Sequence, residues 1–199
     1  MATPKSQRIG IWIIAIVLTV GTLGSFLAMG LSPGNQKIDE IQQQKDYEEY
    51  IKQMTEQQKV AAQANADNSE ALVGYSARTF DPASVTELKV EVLTEGTGEA
   101  VKANDSINSS YFGWASDGKI FDSSKKKNAE DVPATFALNG VISGWTEGLT
   151  GIKVGSVVRL TIPAEKAYGA DGSGIITANS PLEFIVQIHA IDNSATAEA

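Results

Sequence analysis

From Ile9 to Leu31 the chain reads IGIWIIAIVLTVGTLGSFLAMGL, 23 residues without a formal charge. A helix rising 1.5 Å per residue over that length crosses a hydrocarbon core about 30 Å thick. A chain carrying it is not a soluble globule from end to end. Lys5 and Arg8 precede the run, and positive charge ahead of a first apolar helix holds the N-terminus in the cytoplasm. The expectation is a short cytoplasmic segment over 1–8, a single-pass helix over 9–31 in the cytoplasmic membrane, and an extracytoplasmic remainder. A cleaved signal peptide competes, since Ala28-Met29-Gly30 would serve as a small-x-small cleavage site. Signal apolar cores usually run only roughly 7–15 residues, however, which favours a retained anchor.

Ser32-Pro33-Gly34 ends the apolar run, and Gln36 to about Asp67 is polar and rich in Gln, Glu, Lys and Ala. These are good helix formers. Tyr47, Ile51, Met54, Gln58 and Ala61 recur at 4-3-4-3 spacing, but Ile38 and Ile41 fall out of phase. A broken heptad predicts a solvated helical stalk over a coiled-coil dimer. Residues 66–84 read as a connector in which Tyr75 and Phe80 could pack on the next domain. Stalk and linker together occupy 32–85.

Composition narrows the chemistry open to the remaining residues. Sixteen Lys and Arg against 24 Asp and Glu give a formal net charge of −8. That balance argues against a nucleic-acid partner, which calls for a basic footprint. There is no cysteine and one histidine, His189. Disulfides, thiolate catalysis and Cys-based zinc sites are excluded, and a Ser-His-Asp site would have to rest on His189 alone.

Near Thr86 the hydrophobic period switches to two. Leu88, Val90 and Val92 alternate with Lys89 and Glu91, predicting a half-buried strand. Further strands are expected over Ile107–Trp114, Val157–Ile162 and Phe184–Ile191. His189 shares the polar face of Gln187 and reads as a partly exposed structural residue. One short helix is expected over Gly144–Leu149, with Ser143 as its N-cap. Lys125-Lys126-Lys127 reads as a solvated loop, and Asp171-Gly172-Ser173-Gly174 as a flexible flap. Antiparallel strands with a single short helix make an α+β domain. It covers 86–192, followed by a disordered tail over 193–199.

Eight of the chain's 14 aromatic residues fall between 86 and 192, more than a small core needs and enough to line a pocket. Their order is informative: Tyr111-Phe112-Gly113, Asp117-Gly118-Lys119-Ile120-Phe121-Asp122-Ser123-Ser124, Val141-Ile142-Ser143-Gly144-Trp145-Thr146-Glu147-Gly148-Leu149, then Gly151-Ile152-Lys153-Val154-Gly155, Ile162-Pro163, Ala167-Tyr168-Gly169, Gly174-Ile175-Ile176 and Leu182-Glu183-Phe184. This succession resembles the FKBP-type peptidyl-prolyl isomerases across about 86–192. The resemblance implies a twisted antiparallel sheet wrapped around one short α-helix. It implies catalytic positions at Tyr111, Phe121, Asp122, Trp145 and Tyr168, with Trp145 as the pocket floor. It implies substrate contacts at Val141, Ile142, Phe136, Ile176 and Phe184, with the Ile142 N–H meeting a ligand carbonyl. No metal or cofactor is implied. The partners implied are proline-containing polypeptide clients, with folding of exported proteins assisted, and macrolide inhibitors. Ala134 stands where a pocket Phe is common in the family, and Thr177-Ala178 where prolines are frequent. By the resemblance, these departures bear on substrate preference and macrolide affinity, which Ala134 weakens, more than on basic activity. A non-catalytic, membrane-anchored module that binds proline peptides is the alternative, and Ala134 favours it mildly.

This residue set suits the reaction. Rotation about X–Pro faces a barrier of about 18–20 kcal/mol because the C–N bond has partial double-bond character. Twisting the amide removes that resonance and lowers its charge separation. A dry aromatic pocket therefore favours the twisted form over the solvated planar one. A nucleophile is not required. Asp122, as a buried carboxylate, needs a partner, and the resemblance implies the Tyr111 hydroxyl.

Overall fold

Six antiparallel strands form one sheet in the computed structural model, which describes residues 36–192. They are β1 (Lys89–Thr94), β2 (Ser106–Ala115), β3 (Ile120–Ser123), β4 (Ala134–Ala137), β5 (Val157–Ile162) and β6 (Leu182–Ile191). The spatial order is β1-β5-β6-β2-β3, with β4 also paired to β2. The expected anchor at 9–31 and tail at 193–199 lie outside the described residues. Among the described residues no helix is long and apolar enough to cross a membrane.

The period of two sorts each central strand into two faces. On β2 and β6, Tyr111 pairs with Val186 and Gly113 with Phe184. On β5, Val158 pairs with Val186 and Leu160 with Phe184, so these residues share one face. The long helix α1 spans Gln36–Asp67, as its composition predicts. The short helix α2 (Ser143–Leu149) packs on the face of Val158 and Leu160. A Cβ on Gly144 would stand 2.4 Å from Ile162 Cγ2, and one on Gly148 would stand 2.9 Å from Leu160 Cδ2. The helix therefore approaches β5 through two residues that have no side chain to clash. Ser143 is not its cap. Ile142 occupies the N-cap position without a side-chain bond, and its carbonyl accepts from Trp145 N at 2.9 Å. Ser143 Oγ instead lies 3.4 Å from the Lys166 carbonyl.

Phe112, Trp114, Val157 and Ile185 form the opposite face, where they join Leu72 in a second buried cluster. Phe112 and Trp114 stack at 5.1 Å and 22°. Ala71, Tyr75, Ala77 and Phe80 cover them. The compact unit thus begins at Gln63, not near Thr86. Residues expected to be linker bury apolar surface that the sheet alone would leave wet, which stabilises at roughly 25 cal/mol per Å².

Strand β1 departs from its expected half-burial. Val90 and Val92 are 41% and 48% exposed. β1 lies at the edge of the sheet with β5 as its neighbour, and a Cβ on Gly148 of α2 would stand 3.5 Å from Val90 Cγ2. On α1, Tyr47, Tyr50, Met54 and Val60 are exposed.

Candidate active site

Trp145 is the hub of a ring cluster on the α2 face. Its ring lies edge-on to Tyr111 at 5.5 Å, to Phe136 at 5.4 Å and to Phe184 at 5.4 Å. Tyr111 meets Phe136 at 5.3 Å, and Phe184 meets Phe121 at 5.5 Å, again edge-on. Such T-shaped pairs set the positive ring edge against the negative face and add about 0.5–1.5 kcal/mol each beyond burial. The sheet builds this arrangement directly. Tyr111 and Phe184 come from adjacent inner-face positions of β2 and β6, Phe121 from β3, and Phe136 from β4 opposite Ile107. Between them Gly113 must lack a side chain. A Cβ there would lie 2.4 Å from Phe184 Cε1 and 2.6 Å from Phe121 Cζ.

Trp145 is 4% exposed, yet its indole Nε1 has no hydrogen-bond partner among the described residues. A buried unpartnered donor costs about 1–3 kcal/mol. The edge-on packing of three rings around the indole offers compensation in dispersion and quadrupole contacts rather than in a hydrogen bond.

Asp122 stands beside the rings and is held from both oxygens. Its Oδ2 accepts from Tyr111 Oη at 2.5 Å. Its Oδ1 accepts from Asn65 Nδ2 and from the Ser123 N–H, both at 2.8 Å, and Lys126 Nζ lies 3.4 Å away. The carboxylate, expected to be buried, is half-buried, and both its oxygens are paired. Burial, then the charge of Asp122 and its hydrogen bond, push the Tyr111 hydroxyl well above the usual tyrosine range. Burial and the same carboxylate push Tyr168 up to about 12. Both hydroxyls therefore remain protonated donors at neutral pH.

The remaining expected positions lie in the chain entering α2 and in a turn ahead of β6. Val141 and Ile142 are half-buried and lead into α2. Ile176 is half-buried in a tight turn, exchanging backbone bonds with Ser173 at 2.8 and 2.9 Å. Gly172 in that turn has φ +69, and a Cβ on it would stand 2.4 Å from the Ile176 carbonyl oxygen. Ala134 is half-buried and lies two residues before Phe136 on β4, on the same face. The structure joins Tyr111, Phe121, Phe136, Trp145 and Phe184 by ring contacts and ties Asp122 to Tyr111. It brings Tyr168 close enough to feel the Asp122 charge. It gives no ring contact to Val141, Ile142 or Ile176, which are aliphatic. His189 is exposed, with Nε2 2.7 Å from Ser110 Oγ.

Three residues of this neighbourhood escape sequence reasoning. Lys125 and Lys126 are half-buried and held by side-chain contacts rather than freely solvated. Lys125 pairs with Glu70 at 2.9 Å, and Lys126 Nζ reaches Asn65 Oδ1 at 2.7 Å and Ser69 Oγ at 3.0 Å. Only Lys127 of the three lysines is exposed. The third is Asn65, which lies 57 positions before Asp122. Nothing in its own surroundings marks it apart from the rest of a polar helix.

Comparison with known proteins identifies the family. The family model of the FKBP-type peptidyl-prolyl cis-trans isomerases matches residues 97–189. Over 193 residues the chain is 33% identical to the FKBP-type peptidyl-prolyl cis-trans isomerase FkpA of Aeromonas hydrophila, covering 96% of this chain and 70% of that one. It is 38% identical to the Escherichia coli K12 protein of the same name over 142 residues, 71% of this chain and 52% of that one. It is 42% identical to the FK506-binding protein of Neisseria meningitidis over 103 residues, 51% of this chain and 93% of that one. The chain belongs to the FKBP-type peptidyl-prolyl cis-trans isomerases. An antiparallel sheet carrying one short helix is the fold that goes with that membership.

Proposed function

We propose that the ring cluster around Trp145 is where this isomerase turns its X–Pro bonds, and that its clients are proteins folding outside the cytoplasmic membrane, to which residues 9–31 anchor it. The observation that carries the site is the packing of three aromatic rings edge-on around one buried indole, beside a carboxylate locked to a tyrosine hydroxyl. In this reading the prolyl ring rests on Trp145, with Tyr111, Phe121, Phe136 and Phe184 as walls. Val141, Ile142 and Ile176 border it. The Ile142 N–H and the Tyr168 hydroxyl hold the flanking carbonyls. Asp122 organises the rim through Tyr111 and transfers no proton. The cluster lowers the barrier by favouring the less polar twisted amide over the planar amide in water. A macrolide would occupy the same space with reduced affinity, because Ala134 presents a methyl group where a ring would add contact.

Two substitutions test the site. Tyr168→Phe deletes one hydroxyl and keeps the ring. A net hydrogen bond of about 0.5–1.5 kcal/mol corresponds to roughly a 2- to 13-fold loss of kcat/KM. Asp122→Val costs more, because it also strands the Tyr111 hydroxyl. Both are compared at matched folded fraction in a protease-coupled proline-peptide assay, and full parental rates in both would remove these residues from the site. The anchor rests on the charge-free run Ile9–Leu31 behind Lys5 and Arg8. Full-length protein should sediment with membranes and lose its isomerase domain to protease added outside; a soluble or protected domain would reject that placement.

A further inference from the structure

We infer that Asn65, at the end of α1, is a positioning residue for the isomerase site: it fixes the Asp122 carboxylate that in turn fixes Tyr111. This role rests on the proposed parts that Asp122 and Tyr111 play in the site. Asp122 Oδ2 faces one donor, the Tyr111 hydroxyl. Whether the carboxylate presents that oxygen to Tyr111 depends on what pins Oδ1. Three groups do so, and they differ in kind. The Ser123 N–H is backbone and belongs to β3 itself. Lys126 Nζ is more distant, at 3.4 Å. Asn65 Nδ2 bonds at 2.8 Å and arrives from a separate element, so it braces the carboxylate from outside the strand.

The Asn65 amide is oriented for this task. Its Oδ1 accepts from Lys126 Nζ at 2.7 Å, which turns Nδ2 toward Asp122. The same NH2 group also lies 3.4 Å from the Phe121 carbonyl oxygen. Lys126 completes the ring of contacts by donating to Ser69 Oγ at 3.0 Å, and Ser69 Oγ donates to the Asn65 carbonyl at 2.8 Å. The chain leaving α1 is clamped beside the loop after β3. Glu70 N donates to the Lys125 carbonyl at 3.1 Å, and Lys127 N to the Asn68 carbonyl at 2.9 Å. The Lys125–Glu70 ion pair adds a further tie at 2.9 Å. Asn65 therefore meets Asp122 from a segment whose register is set on both sides. The last turn of α1 belongs to the catalytic domain in a functional sense as well as a packing one.

The test is a double-mutant cycle in the full-length protein, read as kcat/KM for a proline tetrapeptide together with the thermal midpoint. Asn65→Ala should lower kcat/KM by about three- to tenfold, within the range for losing one ordinary intramolecular hydrogen bond. In an Asp122→Ala background the same substitution should change kcat/KM by less than about 1.5-fold, because the group it positions is gone. Glu70→Ala cuts the neighbouring ion pair without touching Asp122, and should leave kcat/KM at the parental value. An equal loss from Asn65→Ala in both backgrounds would overturn the inference. So would an equal loss from Glu70→Ala, since either pattern marks general loosening. If Asp122→Ala lowers activity and Asn65→Ala does not, the positioning role fails while the site stands. If Asp122→Ala leaves activity intact, the site reading fails and the inference falls with it.

Discussion

Trp114 and Trp145 are nearly equally buried, at 0% and 4% exposure, but they sit on opposite faces of one sheet and are finished differently. Trp114 stacks on Phe112 and donates its indole N–H to the Arg78 carbonyl at 3.0 Å. Its face is closed by Leu72, Tyr75 and Phe80 from the chain between α1 and β1. Trp145 is ringed edge-on by three aromatics, and its N–H has no acceptor among the described residues. The outer face gives its tryptophan N–H an acceptor and has its rings covered by the preceding chain. The inner face leaves its tryptophan N–H without an acceptor among the described residues and sets that ring against Tyr111, whose hydroxyl is bound to Asp122. Aromatic content alone does not separate the two faces; the covering does.

The largest effect should come from uncovering the outer face. A chain starting at Gln63 should keep parental stability and kcat/KM. One starting at Tyr75 removes Leu72, whose counterpart deletions in cores cost about 2–5 kcal/mol, and removes Asn65 as well. Denaturant unfolding of the two should differ by at least that amount. Equal midpoints would mean that residues 63–74 are a connector after all.

Exchanging the two indoles for smaller rings should separate the faces next. Trp114→Phe strands the Arg78 carbonyl and leaves a gap, costing about 1–3 kcal/mol of stability with kcat/KM unchanged. Trp145→Phe deletes an unpaired donor, so its stability cost should be the smaller of the two, while kcat/KM falls several-fold. If stability and activity fall together in both variants, the division of labour between the faces is wrong.

A further effect lies at high pH. Tyr111 and Tyr168 both have hydroxyls raised above the ordinary value of 10.0, Tyr168 to about 12. Below about pH 10 both the folded and the unfolded chain keep these protons, and stability is unaffected by them. Above it the unfolded chain releases protons that the folded chain retains, so stability should fall as pH rises from about 10 toward 12. Each tyrosine contributes a slope of about 1.4 kcal/mol per pH unit. Tyr168→Phe should make the decline shallower. An unchanged slope would place the Tyr168 hydroxyl in water.

The inner face was legible in the residues because its elements are short-range. Alternation in Val157–Ile162 and Phe184–Ile191 reports the faces of β5 and β6, and the Val-Ile-Ser-Gly-Trp stretch marks the turn into α2. What could not be read depends on contacts across long separations. Leu72 looks like any residue of a polar connector, and only the folded sheet supplies the Phe112 and Trp114 that it covers. The three lysines at 125–127 look like a solvated run, because Asn65, Ser69 and Glu70, which hold two of them, are more than 50 positions away. The strand at Val90 and Val92 shows the converse. Its alternation is real, but among the described residues both valines stay largely exposed at the sheet edge. Ser143 is a good cap by type, yet the chain enters α2 through an uncapped Ile142.

The most direct measurement tracks the indole N–H resonances while a proline-containing tetrapeptide is added, with Trp114 and Trp145 assigned by their Phe variants. If substrate enters the inner face, the Trp145 signal should move with a saturable dependence on peptide concentration, and the Trp114 signal, held on the Arg78 carbonyl behind the sheet, should stay. Movement of Trp114 with Trp145 fixed, or no movement of Trp145 at concentrations where the peptide is turned over, would contradict the placement of the isomerase site around Trp145.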